Sequence, residues 1–137
     1  MASSPAQDRA DAFLDALDAR DGAALAAMLA DETAYDDGHG ARIVGRESIR
    51  DALMERASAT GERHGDRLFM FSDDGRRVAV EVTLRGTYQR TLPGLPEASG
   101  QRYSVQACLV FALDGDKVER VTRYVDLPAW EKALRQG

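Results

Sequence analysis

Val78-Ala79-Val80-Glu81-Val82-Thr83-Leu84-Arg85 alternates branched apolar residues with small, polar or charged ones. A period of two is useful only to an extended strand with one face buried. Three further stretches continue the pattern. Arg67–Phe71 precedes it across the turn Asp73-Asp74-Gly75, while Gln101–Leu113 and Lys117–Asp126 follow, joined by Asp114-Gly115-Asp116. Asp-Gly supplies the backbone freedom a tight hairpin needs. The second half of the chain thus reads as four consecutive antiparallel strands. Only Thr91–Gly100, with two prolines and two glycines, must be a loop.

Towards the N-terminus the period becomes 3.6. Ser4-Pro5-Ala6-Gln7 has the hydroxyl cap, the early proline and the glutamine of a helix start, and Ala10, Phe13, Leu14 and Leu17 form one stripe. Asp21-Gly22 stops that helix, and a short second one buries Leu25, Met28 and Leu29. Thr33–Asp37 reads as a short strand, Gly38-His39-Gly40 as a turn, and Ile43-Val44 as a return of apolar pattern. A third helix runs from Arg46 to about Ala59 and ends at Gly61. At the other end Leu127-Pro128 opens a final helix holding Trp130 and Leu134. Helices and strands are segregated, so the class is α+β, in one domain spanning 1–137. A twisted meander of this size curls round the helices and leaves a conical cavity.

Composition narrows the function. A net charge of −5 argues against nucleic acid or an anionic membrane as partner. Cys108 is the single cysteine, which removes an internal disulfide and a thiolate cage, and His39 and His64 are too few for a histidine-rich site. No metal or other cofactor is expected. The N-terminal residues lack a charged-then-apolar leader, so a cytoplasmic location is expected.

Three stretches together carry a family resemblance. They are Leu29–Gly40 with Ile43–Ile49, Arg85–Tyr88 with Gly94–Tyr103, and Phe111–Asp126 closed by Trp130. In order and spacing the chain resembles the ketosteroid-isomerase-related, SnoaL-like proteins of the nuclear-transport-factor-2-like superfamily, over nearly its whole length. The resemblance implies a cone-shaped α+β barrel, a curved antiparallel sheet wrapped round three helices. It also implies a homodimer packed through the outer sheet face and one pocket per cone for a small apolar organic ligand. Members isomerise double bonds, close polyketide rings, open epoxides, dehydrate or merely bind, so fold leaves the chemistry open.

Ketosteroid isomerase pairs an aspartate base with an oxyanion hole made of a tyrosine and a protonated aspartic acid. An ungapped register puts Asp37 at the base position, and counting back from Gly45-Arg46-Glu47 puts Asp36 there. A plain strand-ending turn is the other reading of this pair. The tyrosine position falls on Phe13 and the second acid on Cys108, neither a good donor, so efficient steroid enolisation is not expected. Arg123 shares parity with Val121 and Val125, which the resemblance turns towards the cavity. A buried arginine needs a partner, either Asp36 or Asp37 or a substrate oxygen. In the opposite parity Thr122 and Tyr124 would be inside instead. The position of Cys108 implies that Ser104, Gln106 and Cys108 face the pocket, which sends the apolar set Tyr103, Val105, Ala107, Leu109 and Phe111 to a dimer interface. His39 is either an acid–base group at the pocket mouth or an exposed turn residue. Tyr35 and Trp130 read as wall or core, and His64 has no assigned role. The leading expectation is an isomerase, cyclase or dehydratase using Asp36 or Asp37 with Arg123. The alternatives are a non-catalytic binding or association domain, and an epoxide hydrolase drawing on Asp36, Asp37, Arg123 and Asp126.

Overall fold

The computed structural model describes residues 4–38 and 40–136; the expectation for His39 lies outside them. Helix α1, Pro5–Asp18, starts where Ser4 accepts a hydrogen bond from the Gln7 backbone N–H, and it buries Phe13, Leu14 and Leu17. Helix α2, Gly22–Ala27, is capped by Asp21. Strand β1 spans Leu29–Asp36 and β2 Arg42–Val44. Helix α3, Arg46–Thr60, ends at Gly61 in the left-handed region, with φ 59°. Four long strands follow: β3, Arg63–Phe71; β4, Arg77–Tyr88; β5, Gln101–Asp114; and β6, Lys117–Val125. Helix α4, Leu127–Gln136, lies on β5.

The six strands form one sheet in the order β2-β1-β6-β5-β4-β3. Four of its pairings are antiparallel, but β1 runs parallel to β6, with Tyr35 opposite Val121 and Asp36 opposite Thr122. The sheet is therefore mixed, not wholly antiparallel. Hairpins force opposite directions only between strands they join, and β1 reaches β6 from the helices.

Which residues face the helices is settled between β4 and β5. Val80 lies opposite Leu109, Val82 opposite Ala107 and Leu84 opposite Val105, so the apolar parities of both strands share one face. That face is buried against the helices, and Phe13 meets Phe111 edge-on at 5.1 Å. The expected orientation of β5 is thus reversed: its apolar face is the core, and Gln106 and Cys108 look outward beside Glu81 and Tyr124. A one-residue slip in parity exchanges the two faces of a strand completely.

Two backbone features bring separate elements into contact. In β3 the register shifts between Gly65 and Leu68, and Asp66 takes a positive φ of 54°. The bulge lets Arg67 reach Asp11, Asp15 and Asp18 of α1. Between β1 and β2, Gly38 has φ +84°, and a Cβ there would sit 2.3 Å from the Arg123 carbonyl oxygen. Only glycine lets this turn press against β6.

Candidate functional site

Arg123 projects inward from β6 opposite Leu109, and 2% of it is exposed. An isolated charge there would be very costly, so its surroundings must supply an anion. Glu62, between α3 and β3 and 5% exposed, does so, with Oε1 at 3.5 Å from Arg123 Nη2. The Tyr103 hydroxyl donates to Glu62 Oε2 at 2.5 Å. Opposite Tyr103 stands Gly86, where a Cβ would fall 2.7 Å from the phenol oxygen, so this hydrogen bond depends on glycine. The Trp130 ring of α4 lies 5.3 Å from the Arg123 guanidinium carbon, within cation–π range. Arg123 Nη1 is buried and finds no acceptor among the described residues.

Burial pushes the Glu62 carboxyl up, but Arg123, His64, the Tyr103 hydroxyl and Arg56 outweigh it and hold it below the ordinary carboxylate range. Glu62 is anionic. Burial and the Glu62 charge push the Tyr103 hydroxyl up, so it keeps its proton and donates.

Beside this group, His64 of β3 is 8% exposed, and its Nδ1 lies 2.8 Å from Asp18 Oδ1 at the end of α1. The His64 backbone N–H also donates to Asp18. Burial raises the Asp18 carboxyl, yet the hydrogen bonds and charge of His64, followed by Arg67, bring it below its usual value. An anionic Asp18 can only accept, so Nδ1 carries the hydrogen. In the neutral ring Nε2 then bears the lone pair.

His64, Glu62 and Arg123 wall one cavity of about 20 Å³, together with Leu17, Tyr35, Leu53, Arg56, Ala57 and Leu109. That is room for roughly one water. Outside it lies a cleft of about 250 Å³, bounded by Asp37, Ile43, Ala52, Glu55, Leu92, Pro93, Leu95 and Trp130. Arg56 belongs to both walls. The cone is therefore largely filled by side chains, with a small polar floor and a more open, apolar mouth.

Several expected site residues lie elsewhere. Asp36 has outward parity and is gripped on the outer sheet face by Arg42 at 2.7 and 3.1 Å and by Arg120 at 3.1 Å. It is no partner for Arg123. Asp37, one residue on, takes the opposite side and borders the outer cleft, accepting from the Ala41 N–H at 3.3 Å. Phe13 and Val121 are core residues outside the cavity wall, and Val125 borders an outer-face groove with Gln106 and Cys108. Gln106 donates to the Thr83 hydroxyl there, at 3.0 Å. Tyr35 does line the cavity. Asp126 accepts from the Ala129 N–H at the start of α4, so an Asp36–Arg123–Asp126 set is not assembled. Glu62, His64 and Asp18 escaped the reading of the sequence. An inward Arg123 does demand a carboxylate, but Glu62 follows a helix-ending glycine, where an acid is ordinary. Among the described residues no group of three or more His, Cys, Asp or Glu could hold a metal ion, and no helix is long and apolar enough to cross a membrane.

The SnoaL-like domain family matches residues 10–121. The structure of a candidate polyketide cyclase from Pseudomonas putida KT2440 is 30% identical, with a TM-score of 0.89 over 96% of this chain and 99% of that one. A second candidate polyketide cyclase, from Silicibacter sp. TM1040, is 32% identical, with a TM-score of 0.87 over 93% of each chain. An LEH-like epoxide hydrolase of M. tuberculosis shares the fold at 23% identity, with a TM-score of 0.77 over 96% of this chain and 85% of that one. No curated protein matches. The match across most of the chain, and two relatives at about a third identity over nearly full length, make this protein a member of the SnoaL-like domain family.

Proposed function

We propose that the chain is a general acid–base enzyme acting on small carbonyl compounds, of the isomerase, cyclase or dehydratase type. One observation carries this reading: His64, oriented from behind by Asp18, and the buried Arg123 wall the same cavity. A proton leaves the carbon beside a carbonyl for His64 Nε2. The C–H electron pair moves into the carbonyl, whose oxygen gains negative charge near Arg123. Fixed cations in a dry site stabilise such charge far better than water does. Return of the proton to another carbon completes an isomerisation. Attack of the enolate on a second carbonyl closes a ring, and expulsion of a β-hydroxyl as water dehydrates. Asp37, in the outer cleft, is the second proton-transfer group of the proposal. Arg123 takes the electrophile's place that Phe13 cannot fill. The cyclase names of the two relatives support this class.

Deuterium exchange into 1-phenylpropan-2-one, followed by NMR in D2O, tests it. The wild type accelerates exchange, and His64→Gln loses about 10²- to 10⁴-fold. No catalysed exchange, or a fully active H64Q, ends the proposal and leaves a binding protein.

The size of the cavity favours a second reading. Room for about one water beside His64 and Glu62 suits hydrolytic opening of an epoxide, the activity named for the M. tuberculosis neighbour. Styrene oxide in labelled water discriminates, since only this chemistry yields a diol carrying solvent oxygen.

We also propose that two chains pair through the outer sheet face and work in the cytoplasm. Leu68, 59% exposed, and Tyr124, 58% exposed, flank Glu81 and Cys108 in one cross-strand row, a surface suited to a second sheet. The lone Cys108 suits a reducing compartment. A monomeric wild type in sedimentation, or an unaltered dimer in Tyr124→Arg, removes the pairing.

A further inference from the structure

Buried polar groups are almost always satisfied, either by the protein or by ordered water. Arg123 Nη1 is buried and meets no acceptor among the described residues. The Glu62 contact belongs to Nη2, and the indole of Trp130, which lies against the guanidinium, has no acceptor to offer. Two further groups of the same cavity wall have capacity left. His64 donates from Nδ1 to Asp18, which leaves Nε2 as an acceptor in the neutral ring. Glu62 Oε2 is engaged by Tyr103, while Oε1 has only its 3.5 Å contact with Arg123. Charge in this corner is already balanced, since Arg123 and Arg56 stand against Glu62 and the Asp37 of the adjoining cleft. A fitting occupant is therefore neutral, and about 20 Å³ admits one of the size of a single oxygen.

We infer that the cavity is a built site for one water, shared by Arg123 Nη1, His64 Nε2 and Glu62 Oε1. The water accepts from Nη1 and donates one hydrogen to each of the other two, and about three partners is usual for a buried water. The chemistry of the wall also asks for water in particular. Nη1 can only donate and an ionised Glu62 can only accept, but Nε2 changes role with its proton. When His64 is protonated, Nε2–H donates to the water, which then accepts twice and keeps its bond to Glu62. A water can turn round in place; a fixed side chain cannot. The site thus lets a buried histidine gain and lose a proton with no polar group stranded in either state. It also joins two clusters into one network. Charged groups reach this corner from α1 (Asp18), α3 (Arg56), the α3–β3 link (Glu62), β3 (Arg67) and β6 (Arg123). The inference concerns the protein at rest and does not depend on turnover.

A high-resolution crystal structure of the wild type at neutral pH tests the site directly. One density peak within about 3 Å of Nη1, Nε2 and Oε1 together is expected. Crystals moved to a pH at which the nitrogen shifts of His64 report a protonated ring should keep that peak in place. No density, a side chain filling the floor, or a peak out of reach of Nη1 overturns the inference. Loss of the water on protonation overturns its reversible role. In solution, deuteron relaxation dispersion counts waters that stay buried. The double variant Arg123→Met/Glu62→Met removes two partners and leaves neither of those charges unpaired. It should hold one long-lived water fewer, with the fold intact by circular dichroism, and an unchanged count overturns the site. A protein that holds the water but exchanges no carbonyl compound would count against the proposed enzyme alone. Exchange by a protein without the water would count against this site alone.

Discussion

Arg120 and Arg123 leave the same strand three residues apart, and each meets a carboxylate on its own side of the sheet. On the outer face Asp36 receives Arg42 at 2.7 and 3.1 Å and Arg120 at 3.1 Å. On the inner face Glu62 stands 3.5 Å from Arg123. The outer cluster has the better geometry, but it faces water. Both carboxyls are held below their ordinary range, for different reasons. For Asp36 the hydrogen bond from Arg42 is the largest influence and outweighs the opposing effect of burial; for Glu62 burial is the largest influence and is overcome by several groups. Solvent, more than distance, decides what each cluster is worth. Exposed pairs exchange one good environment for another, whereas a buried pair that loses one member strands the other.

The largest effect should therefore come from the inner side. Glu62→Gln keeps a group able to accept from Tyr103 but removes the counter-charge of Arg123. Destabilisation of about 3–5 kcal/mol is expected, read as a lower urea midpoint. Removing both members, Glu62→Met with Arg123→Met, should cost less than Glu62→Gln alone, because no charge is then buried unpaired. A double variant weaker than the single one would mean that packing, and not charge, holds this corner.

Acid should act on the same side. Glu62 and Asp18 both have folded values below their ordinary ones, so the folded chain binds fewer protons than the unfolded chain near these values. Their stabilisation is complete above the unfolded range, about pH 4–4.5, and fades as the pH falls through it towards the folded values. The urea midpoint should stay level from neutral pH to about 5 and fall below about 4. Asp18→Asn should flatten that fall, since it removes one of the two protonations. An acid limb unchanged in Asp18→Asn would show that the His64–Asp18 contact contributes no stability.

The same two faces explain what could be read from the sequence. Alternation in Val78–Arg85, the Asp-Gly turns and the stop at Gly61 are local signals, and the elements stand where they point. Strands β1 and β3 begin four residues earlier than their patterns suggest, at Leu29 and Arg63. That placed His64 at the margin of a strand whose inward side it occupies. Arg123 is inward with Val121, two residues before it, a parity visible in the letters. Its partner was not visible, because Glu62 is 61 residues away and only the closed cone brings them together. The error on β5 has another origin. Placing Cys108 in the pocket by resemblance overrode the plain rule that the most apolar side of a strand is its buried side. Cys108 turned out on the outer face, and Tyr103, consigned to the outside, supplies the hydroxyl that holds Glu62.

The smallest effect is expected where the contacts look best. Asp36 and Asp37 are neighbours in sequence, yet β1 sends Asp36 outward and the turn after it sends Asp37 to the cleft. Asp36→Asn breaks two charged pairs, but water solvates Arg42 and Arg120 at once, and the side chains regain freedom. Its urea midpoint and its carbonyl exchange rate should match the wild type within error. Asp37→Asn should fold equally well but exchange more slowly, since its carboxylate borders the space a substrate body would occupy. If the exchange losses fall on Asp36→Asn instead, the two faces have been assigned the wrong way round, and the chemistry belongs to the outer side of the sheet.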